Sequence, residues 1–279
     1  MDSIFFGGEF MQEAIDEFLE YTSSFFTLLN DSYDIYNINL KINHTFRVMD
    51  LCGEIAESLN LTKEDITLAK LCGLLHDIGR FEQWNRYKTF VDSKSVDHGD
   101  FGAKLLKEKN FIRRFNNDEK IDDLIIKVVK NHNKYAIDSE LNDQELLHAK
   151  LIRDADKLDN FRVQDTEEMR TLLDKSESEI GKQSISPSVI DDFMSGKLVN
   201  RKNTNNEIDR WISYIACIFD INYNASLNFL LNKKYIEKLF NRIPYTNPDT
   251  IKQVEKLKSF VSSYINKKLS EELVGNYGK

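Results

Sequence analysis

Four of the five histidines in this chain of 279 residues fall next to helical patterns or acidic residues where they could bind a metal. Imidazole and carboxylate groups together suit borderline divalent ions such as zinc, manganese, iron and cobalt. Two aspartates complete the candidate set. In chain order the candidate ligands are His44, His76, Asp77, His98, His132 and Asp156. These residue types predict a metal centre built from distant parts of the chain.

Helices are predicted to hold these ligands in place. His44 is expected to open an apolar helix that stops near Asn60. Thr62 is then predicted to be the N-terminal cap of a second helix, whose residues 66–75 are apolar nearly all round and therefore predicted to be buried.

The adjacent pair His76 and Asp77 constrains its own backbone. Neighbouring residues on a helix project about 100° apart, so both side chains reach one metal only from an exposed or broken helix end. Gly79 is expected to supply that end as a C-terminal glycine. The other ligands must then arrive from separate helices, as in other bundle-core metal sites.

Apolar residues at helical spacing and only three prolines predict an all-α protein. The first segment, roughly 9–30, includes Phe18, Phe25 and Leu28 on its apolar face. Further helices are predicted around 99–109, 119–133 and 143–161, and residues 84–97 are expected to be irregular. The serine-rich region 176–188 is the candidate boundary. We predict an N-terminal helical segment (1–40) packed on the core, a metal-binding domain (41–175) and a C-terminal helical extension (176–279).

A formal charge of −8 argues against nucleic acid as a partner, because binding a phosphate backbone needs clustered basic residues. A small anionic substrate stays open, since a metal ion can supply local positive charge. The start of the chain, Met1 to Ile4, lacks the pattern of a signal peptide, and no apolar run is long enough for a membrane span. Three cysteines without a CxxC pair fit a reducing compartment. A cytoplasmic location is therefore expected.

Five short motifs together resemble the HD superfamily of metal-dependent phosphohydrolases. They are HTFRV (44–48), LLHDIGR (74–80), DHGDFGA (97–103), VKNH (129–132) and RDADKLD (153–159). The resemblance spans somewhat under half of the chain, from about His44 to Phe161. It implies an HD-domain helical bundle, with additional helices at both ends of the chain.

The resemblance also implies roles for individual residues. His44, His76, Asp77 and Asp156 would hold a first divalent ion. His98 and His132 match the extra histidines of two-metal members, in which Asp77 would bridge both ions. A water activated by metal would attack the substrate, and Asp77 could help to orient or deprotonate it.

Outside the metal ligands, Arg80 is assigned to catalysis and to the substrate phosphate, with a solvated cation at a helix C-terminus as the alternative. Lys157 is a weaker candidate for the same phosphate. Asp154 and Asp159 are expected at the surface or behind the ligands, and His148 is expected to be structural. An aromatic stretch that includes Trp84 and Phe90 could line the pocket or simply pack a loop.

The function implied is hydrolysis of a small phosphorylated compound, with nucleotides among the candidates. One or two ions of manganese, iron, cobalt, nickel, zinc or magnesium would be the cofactor. Two alternatives remain open at this point: a di-iron oxygenase of the same superfamily, and a non-catalytic module that senses metal or nucleotide. The substrate, the native metal and the oligomeric state do not follow from the sequence.

Overall fold

Helices and short connections make up the described structure, a computed structural model that covers residues 8–26 and 31–276, with side chains up to 271. No strand occurs in these ranges, so the all-α prediction is confirmed. Within the same ranges, no helix is both long and apolar enough to cross a membrane. Met1 to Ile4 and Leu28 lie outside the described residues.

The described residues divide into two compact units, one ending at Asp156 and the other beginning at Lys157. This division falls earlier in the chain than the predicted boundary at 176. The helices of the first unit are α1 (Gly8–Phe26), α2 (Ser32–Ser58), α3 (Lys63–Leu75), α4 (Ile78–Tyr87), α5 (His98–Lys107), α6 (Asp122–Asn131) and α7 (Asp143–Thr166), which continues into the second. Short 3-10 turns occupy Asp92–Lys94, Glu108–Arg114 and Glu119–Ile121.

The long helix α2 begins well before His44, so the expectation that His44 opens a helix is wrong. Asp31 caps α2 by accepting a hydrogen bond from the backbone N–H of Tyr33. The first half of α2 is rich in polar and aromatic residues, so apolar spacing alone did not indicate a helix there. The predicted end is close to the observed one, because Asn60 adopts a left-handed conformation with φ of 54°.

Helices α2 and α3 pack at very short range. Thr62 caps α3 as predicted, accepting a hydrogen bond from the backbone N–H of Asp65. Gly73 makes the close approach possible, because a methyl group on it would lie 2.8 Å from the Cα atom of Met49 in α2. This contact brings His44 and His76 onto facing surfaces.

Gly79 does not end a helix, contrary to the prediction. Helix α3 ends at Leu75, and α4 starts at Ile78 after a break of two residues, His76 and Asp77. Gly79 lies in the first turn of α4, where a methyl group would sit 2.7 Å from the backbone nitrogen of Gly102 in α5. The glycine is therefore required by close packing of two helices rather than by a left-handed turn.

Aromatic residues connect α1 to the same core. The ring of Phe18 contacts those of Phe46 and Phe81, with centroids 5.6 Å apart in both pairs. Tyr21 and Phe25 also pack against Phe81. Helix α1 thus covers α4 next to the break that carries His76 and Asp77.

The second unit is a set of mostly short helices around a core that includes Trp211. Its elements after α7 are α8 (Met169–Leu173), α9 (Glu177–Ile180), α10 (Pro187–Met194), α11 (Glu207–Ile215), α12 (Asn224–Lys233), α13 (Tyr235–Arg242) and α14 (Pro248–Asn276), with 3-10 turns at Arg201–Asn203 and Ala216–Asp220. In the serine-rich region, Ser176 forms a capping box with Glu179, whereas the Ser186 side chain donates a hydrogen bond to the buried carboxylate of Asp209.

Candidate metal centre

All six predicted ligands lie in the first unit and are contributed by separate elements. His44 belongs to α2 and Asp156 to α7, while His76 and Asp77 occupy the break between α3 and α4. His98 is the first residue of α5, and His132 directly follows α6. His98 thus stands at the start of a helix and His132 at the end of one, close to the bounds of the helices predicted around 99–109 and 119–133.

The six side chains form two groups of three, in each of which the ligand atoms lie within 4.8 Å of one another. The first group is His44, His76 and Asp156; His44 Nε2 is 3.1 Å from Asp156 Oδ1 and 3.3 Å from His76 Nε2. The second group is Asp77, His98 and His132, and the two imidazole Nε2 atoms are 3.0 Å apart. We call these groups the first and the second triplet.

Asp77 joins the two triplets through its two oxygens. Its Oδ2 faces the first triplet, at 3.7 Å from His44 Nε2 and 3.6 Å from His76 Nε2. Its Oδ1 faces the second, at 3.5 Å from His98 Nε2 and 3.6 Å from His132 Nε2. One carboxylate thus offers an oxygen to each of two adjacent positions.

Hydrogen bonds behind the imidazoles fix which nitrogen faces the centre. His76 Nδ1 donates to the Gly73 carbonyl and His132 Nδ1 to the Val129 carbonyl, both at 2.7 Å. A carbonyl can only accept, so Nδ1 carries the proton and Nε2 presents its lone pair. Lone pairs that converge at this range repel one another unless a cation lies between them.

The donor set fits divalent metal ions. Bonds of about 2.0–2.2 Å from zinc to nitrogen and oxygen place ligands of one ion about 3 Å apart, close to the shortest separations in each triplet. The imidazoles of His76 and His98 are also kept neutral, as metal binding requires. Burial lowers the pKa of His76 to about 4, and burial together with Arg80 lowers that of His98 to about 3.

Asp77 remains charged although it is buried. Burial alone would raise its pKa, but Lys41, His76 and Arg80 together outweigh that effect and hold the pKa well below its usual range. The carboxylate is therefore ionised at neutral pH, the state in which it could bind a metal ion.

Arg80 lies beside Asp77 in the first turn of α4, so the alternative of a solvated helix C-terminal cation is wrong. Its Nη1 donates to the Phe90 carbonyl at 2.7 Å and to Asp92 Oδ1 at 2.8 Å. Its Nε is 3.4 Å from Asp77 Oδ1, yet this buried atom has no hydrogen-bond acceptor among the described residues. The guanidinium is anchored on one side and offers donors to the centre on the other.

Two residues of the centre were missed in the sequence. Asp92 has Oδ2 2.6 Å from His98 Nδ1, while its other oxygen binds Arg80. Lys41 Nζ is 3.0 Å from Asp77 Oδ2. Lys41 precedes His44 by three residues and so shares its helical face, a signal that was available. Nothing in the sequence shows that the loop after α4 returns Asp92 to His98.

The remaining candidates belong to neither triplet. Lys157 belongs to the second unit, where its Nζ is 2.7 Å from Asp220 Oδ2. Asp154 and Asp159 are both buried, so a surface position is wrong for either. His148 is buried with Nε2 3.3 Å from Asp65 Oδ1, which agrees with a structural role.

The aromatic stretch after the ligands serves two purposes. Trp84 is buried, and its Nε1 donates to Asp34 Oδ1 of α2 at 3.1 Å, so it packs the fold. Phe90 is only half-buried, and Lys41 Nζ and the Arg80 guanidinium carbon lie 5.5 and 5.8 Å from its ring centroid. Phe90 is therefore the member of the stretch that adjoins the centre.

The family comparison agrees with this geometry. A family model described as the HD domain matches residues 42–160, a range that contains all six ligands and Arg80. No curated protein and no solved structure matches the chain. The order of the ligands, their assembly around Asp77 and the family match lead to one conclusion: residues 42–160 form an HD domain.

Proposed function

We propose that this protein is a metal-dependent hydrolase of a small phosphorylated compound, with nucleotides as the first class to test. The observation that carries the proposal is the Asp77 carboxylate, which presents one oxygen to each ligand triplet. Two divalent ions held in this way would polarise the phosphoryl group and lower the pKa of a water molecule to about 7. One or two ions of manganese, iron, cobalt, nickel, zinc or magnesium are consistent with these donors.

The protein groups around the centre support phosphoryl transfer in particular. Arg80 offers its unsatisfied Nε and its Nη2, which is 3.2 Å from His98 Nε2, towards the centre. A planar guanidinium suits the oxygens of a phosphate. Asp92 and the Phe90 carbonyl hold the group in place, so little side-chain entropy is lost on binding. We assign Arg80 to the substrate phosphate, and Asp77 to orienting the attacking water.

Two further assignments have less support. Lys157 pairs with Asp220, and we retain it only as a candidate for substrate binding. A cytoplasmic location is also part of the proposal, supported by Cys52 and Cys72, which are buried thiols rather than a disulfide.

Metal analysis followed by a phosphatase screen tests the proposed function. Protein purified without chelators is analysed for each metal per chain, then assayed on phosphomonoesters, phosphodiesters and nucleotides with each candidate ion. We expect about two ions per chain and hydrolysis of at least one of these classes of compound. The Asp77→Ala variant should lose both the bound ions and the hydrolytic activity. Iron with oxygen-dependent turnover would support the oxygenase instead. Metal and nucleotide binding without turnover would support the sensor.

A further inference from the structure

Lys41 is a second cation at the metal centre, in addition to Arg80, and the proposed function assigns no role to it. It lies on α2, one helical turn before His44, and its side chain is only 17% exposed. Within the described part of the chain, its ammonium group hydrogen-bonds to Asp77 Oδ2 at 3.0 Å. This is the oxygen that faces the first triplet.

Lys41 and Arg80 flank Asp77 from opposite ends of its carboxylate. Lys41 contacts Oδ2, whereas Arg80 is closest to Oδ1, at 3.4 Å. Both cations also lie over the ring of the half-buried Phe90. The two positive groups are therefore arranged around one aromatic side chain at the edge of the centre, one beside each triplet.

The partner of Lys41 is the carboxylate that the metals require. When divalent ions take up both oxygens of Asp77, most of its charge is neutralised, and the ammonium loses its counter-charge. A largely buried ammonium is costly without an anionic partner. An anion that binds beside Asp77 would supply one, and the neighbouring Arg80 favours an anion with several oxygens.

The charge of the site indicates which anion fits best. The ion pairs described above bring together three carboxylates (Asp77, Asp92, Asp156) and two cations (Lys41, Arg80), which leaves one net negative charge. Two divalent ions would convert this to three positive charges. A dianion offsets more of that charge than a monoanion does. The centre is thus better matched to a phosphomonoester than to a phosphodiester.

We propose that Lys41 and Arg80 together bind the phosphoryl oxygens of a dianionic phosphomonoester, and that Lys41 sets the preference for the monoester over a diester. This inference rests on the proposed function, because it assumes metal at the two triplets. Lys41 is on this account a substrate-binding residue and not merely a counter-charge for Asp77.

Binding of two simple phosphate esters tests the inference without turnover. Methyl phosphate and dimethyl phosphate are titrated calorimetrically into metal-loaded protein at pH 8, where a monoester with a second pKa of about 6 is dianionic. We expect methyl phosphate to bind at least about tenfold more tightly. In Lys41→Met, its affinity should fall by about tenfold to a hundredfold, with dimethyl phosphate little changed, because a charge-assisted hydrogen bond is lost.

Metal content separates binding of substrate from a structural role. Lys41→Met should keep its metals at equal or higher affinity, since the ammonium competes for Asp77 Oδ2. Lys41→Arg should recover part of the methyl phosphate affinity. Lys88→Met is the matched control: it removes one nearby positive charge, from a lysine paired with Asp34, and should leave both affinities unchanged.

Three results would overturn the inference: equal binding of the two esters, unchanged methyl phosphate affinity in Lys41→Met, or no ester binding by metal-loaded protein. Failure of the proposed function looks different. Protein that binds no metal removes the basis of both proposals. Protein that binds metal and methyl phosphate, and depends on Lys41 to do so, without hydrolysing any ester would retain the inference and refute the hydrolase.

Discussion

At the scale of single residues, three imidazoles of the centre, those of His76, His98 and His132, depend on a partner behind the ring. His76 and His132 donate to carbonyls of their own preceding helical turn, so the helix that positions each ring also selects its tautomer. His98 differs, because its partner is the carboxylate of Asp92 in the loop before α5. The second triplet therefore depends on a side chain that is not itself a ligand.

Substitution of one histidine should separate the two metal positions. His98→Ala removes a candidate ligand of the second triplet only, so we expect this variant to bind one ion per chain and the native protein to bind two. The first triplet keeps His44, His76 and Asp156, and elemental analysis gives the stoichiometry. Retention of two ions would contradict the division into triplets.

Removal of the negative charge behind His98 should weaken metal binding without abolishing it. Asp92→Asn can still accept a hydrogen bond from His98, but it makes the imidazole less basic and weakens the hold on Arg80. Outer partners of this kind are worth about 10–100-fold in metal affinity. In a metal titration with two binding steps, we expect the affinity of the weaker step to fall by that factor.

A nearby surface carboxylate provides the comparison for Asp92. Asp100 is exposed and pairs with Lys134, so Asp100→Asn changes the net charge equally without touching a ligand. Both titration steps should match the native protein in that variant. An equal loss of affinity in the two variants would mean that general charge, rather than the contact with His98, controls the second position.

The residues predicted from sequence are those whose chemistry is local. His76 and Asp77 are adjacent, and the other ligands stand at helix ends or in a recognisable order, so residue type and motif identified them. Asp92 reaches His98 only because the segment after Tyr87 folds back, which depends on tertiary contacts. Its role could not be inferred from spacing.

At the scale of elements, short distances between helix backbones bring the ligands together. Helices α4 and α5 meet at Gly79, where the His98 carbonyl oxygen lies only 2.8 Å from the point that a Cβ atom would occupy. The sequence showed a glycine after the ligand pair, but glycine serves both to end a helix and to permit close packing. Which of these two roles a glycine has depends on the helix that packs against it, and the sequence does not identify that helix.

Gly79→Ala should push α4 and α5 apart. The added methyl group would contact backbone atoms on the neighbouring helix, which cannot move as a side chain can. Overpacking of this kind costs about 1–3 kcal/mol of unfolding free energy. A melting temperature lowered by several degrees is expected, at about 2–4 °C per kcal/mol, together with weaker metal binding.

Gly53→Ala is the matched control within α2. The three atoms nearest to its added methyl group all belong to the side chain of Lys70, whose flexible end can shift. Alanine is also the better helix former, by about 0.5–1 kcal/mol. This variant should be as stable as the native protein or more so. If both variants melt alike, close packing at Gly79 is not what the site requires.

At the scale of the whole molecule, metal binding is expected to stabilise only one of the two units. All six ligands lie in the unit that ends at Asp156, so binding stabilises the helices that contribute them. Free metal at a hundred times its dissociation constant adds about 2.7 kcal/mol to the free energy of unfolding. Removal of metal by a chelator should therefore accelerate amide hydrogen exchange in α2, α3 and α6.

The second unit serves as the internal reference for that measurement. Exchange in α11 and α14 should be nearly independent of metal, because no ligand of either triplet lies in these helices. Readdition of the ion should restore protection in the first unit. Equal deprotection of both units on chelation would contradict a purely local effect of the metal.

The distribution of ligands along the chain also orders the events of synthesis. The second triplet is complete in the nascent chain once His132 has left the ribosome, whereas the first waits for Asp156, far into α7. Chains emerge at about 5–20 residues per second and fold from the N-terminal side onward. During synthesis there is therefore a stage at which the second triplet, which includes Asp77, is complete while the first triplet still lacks Asp156.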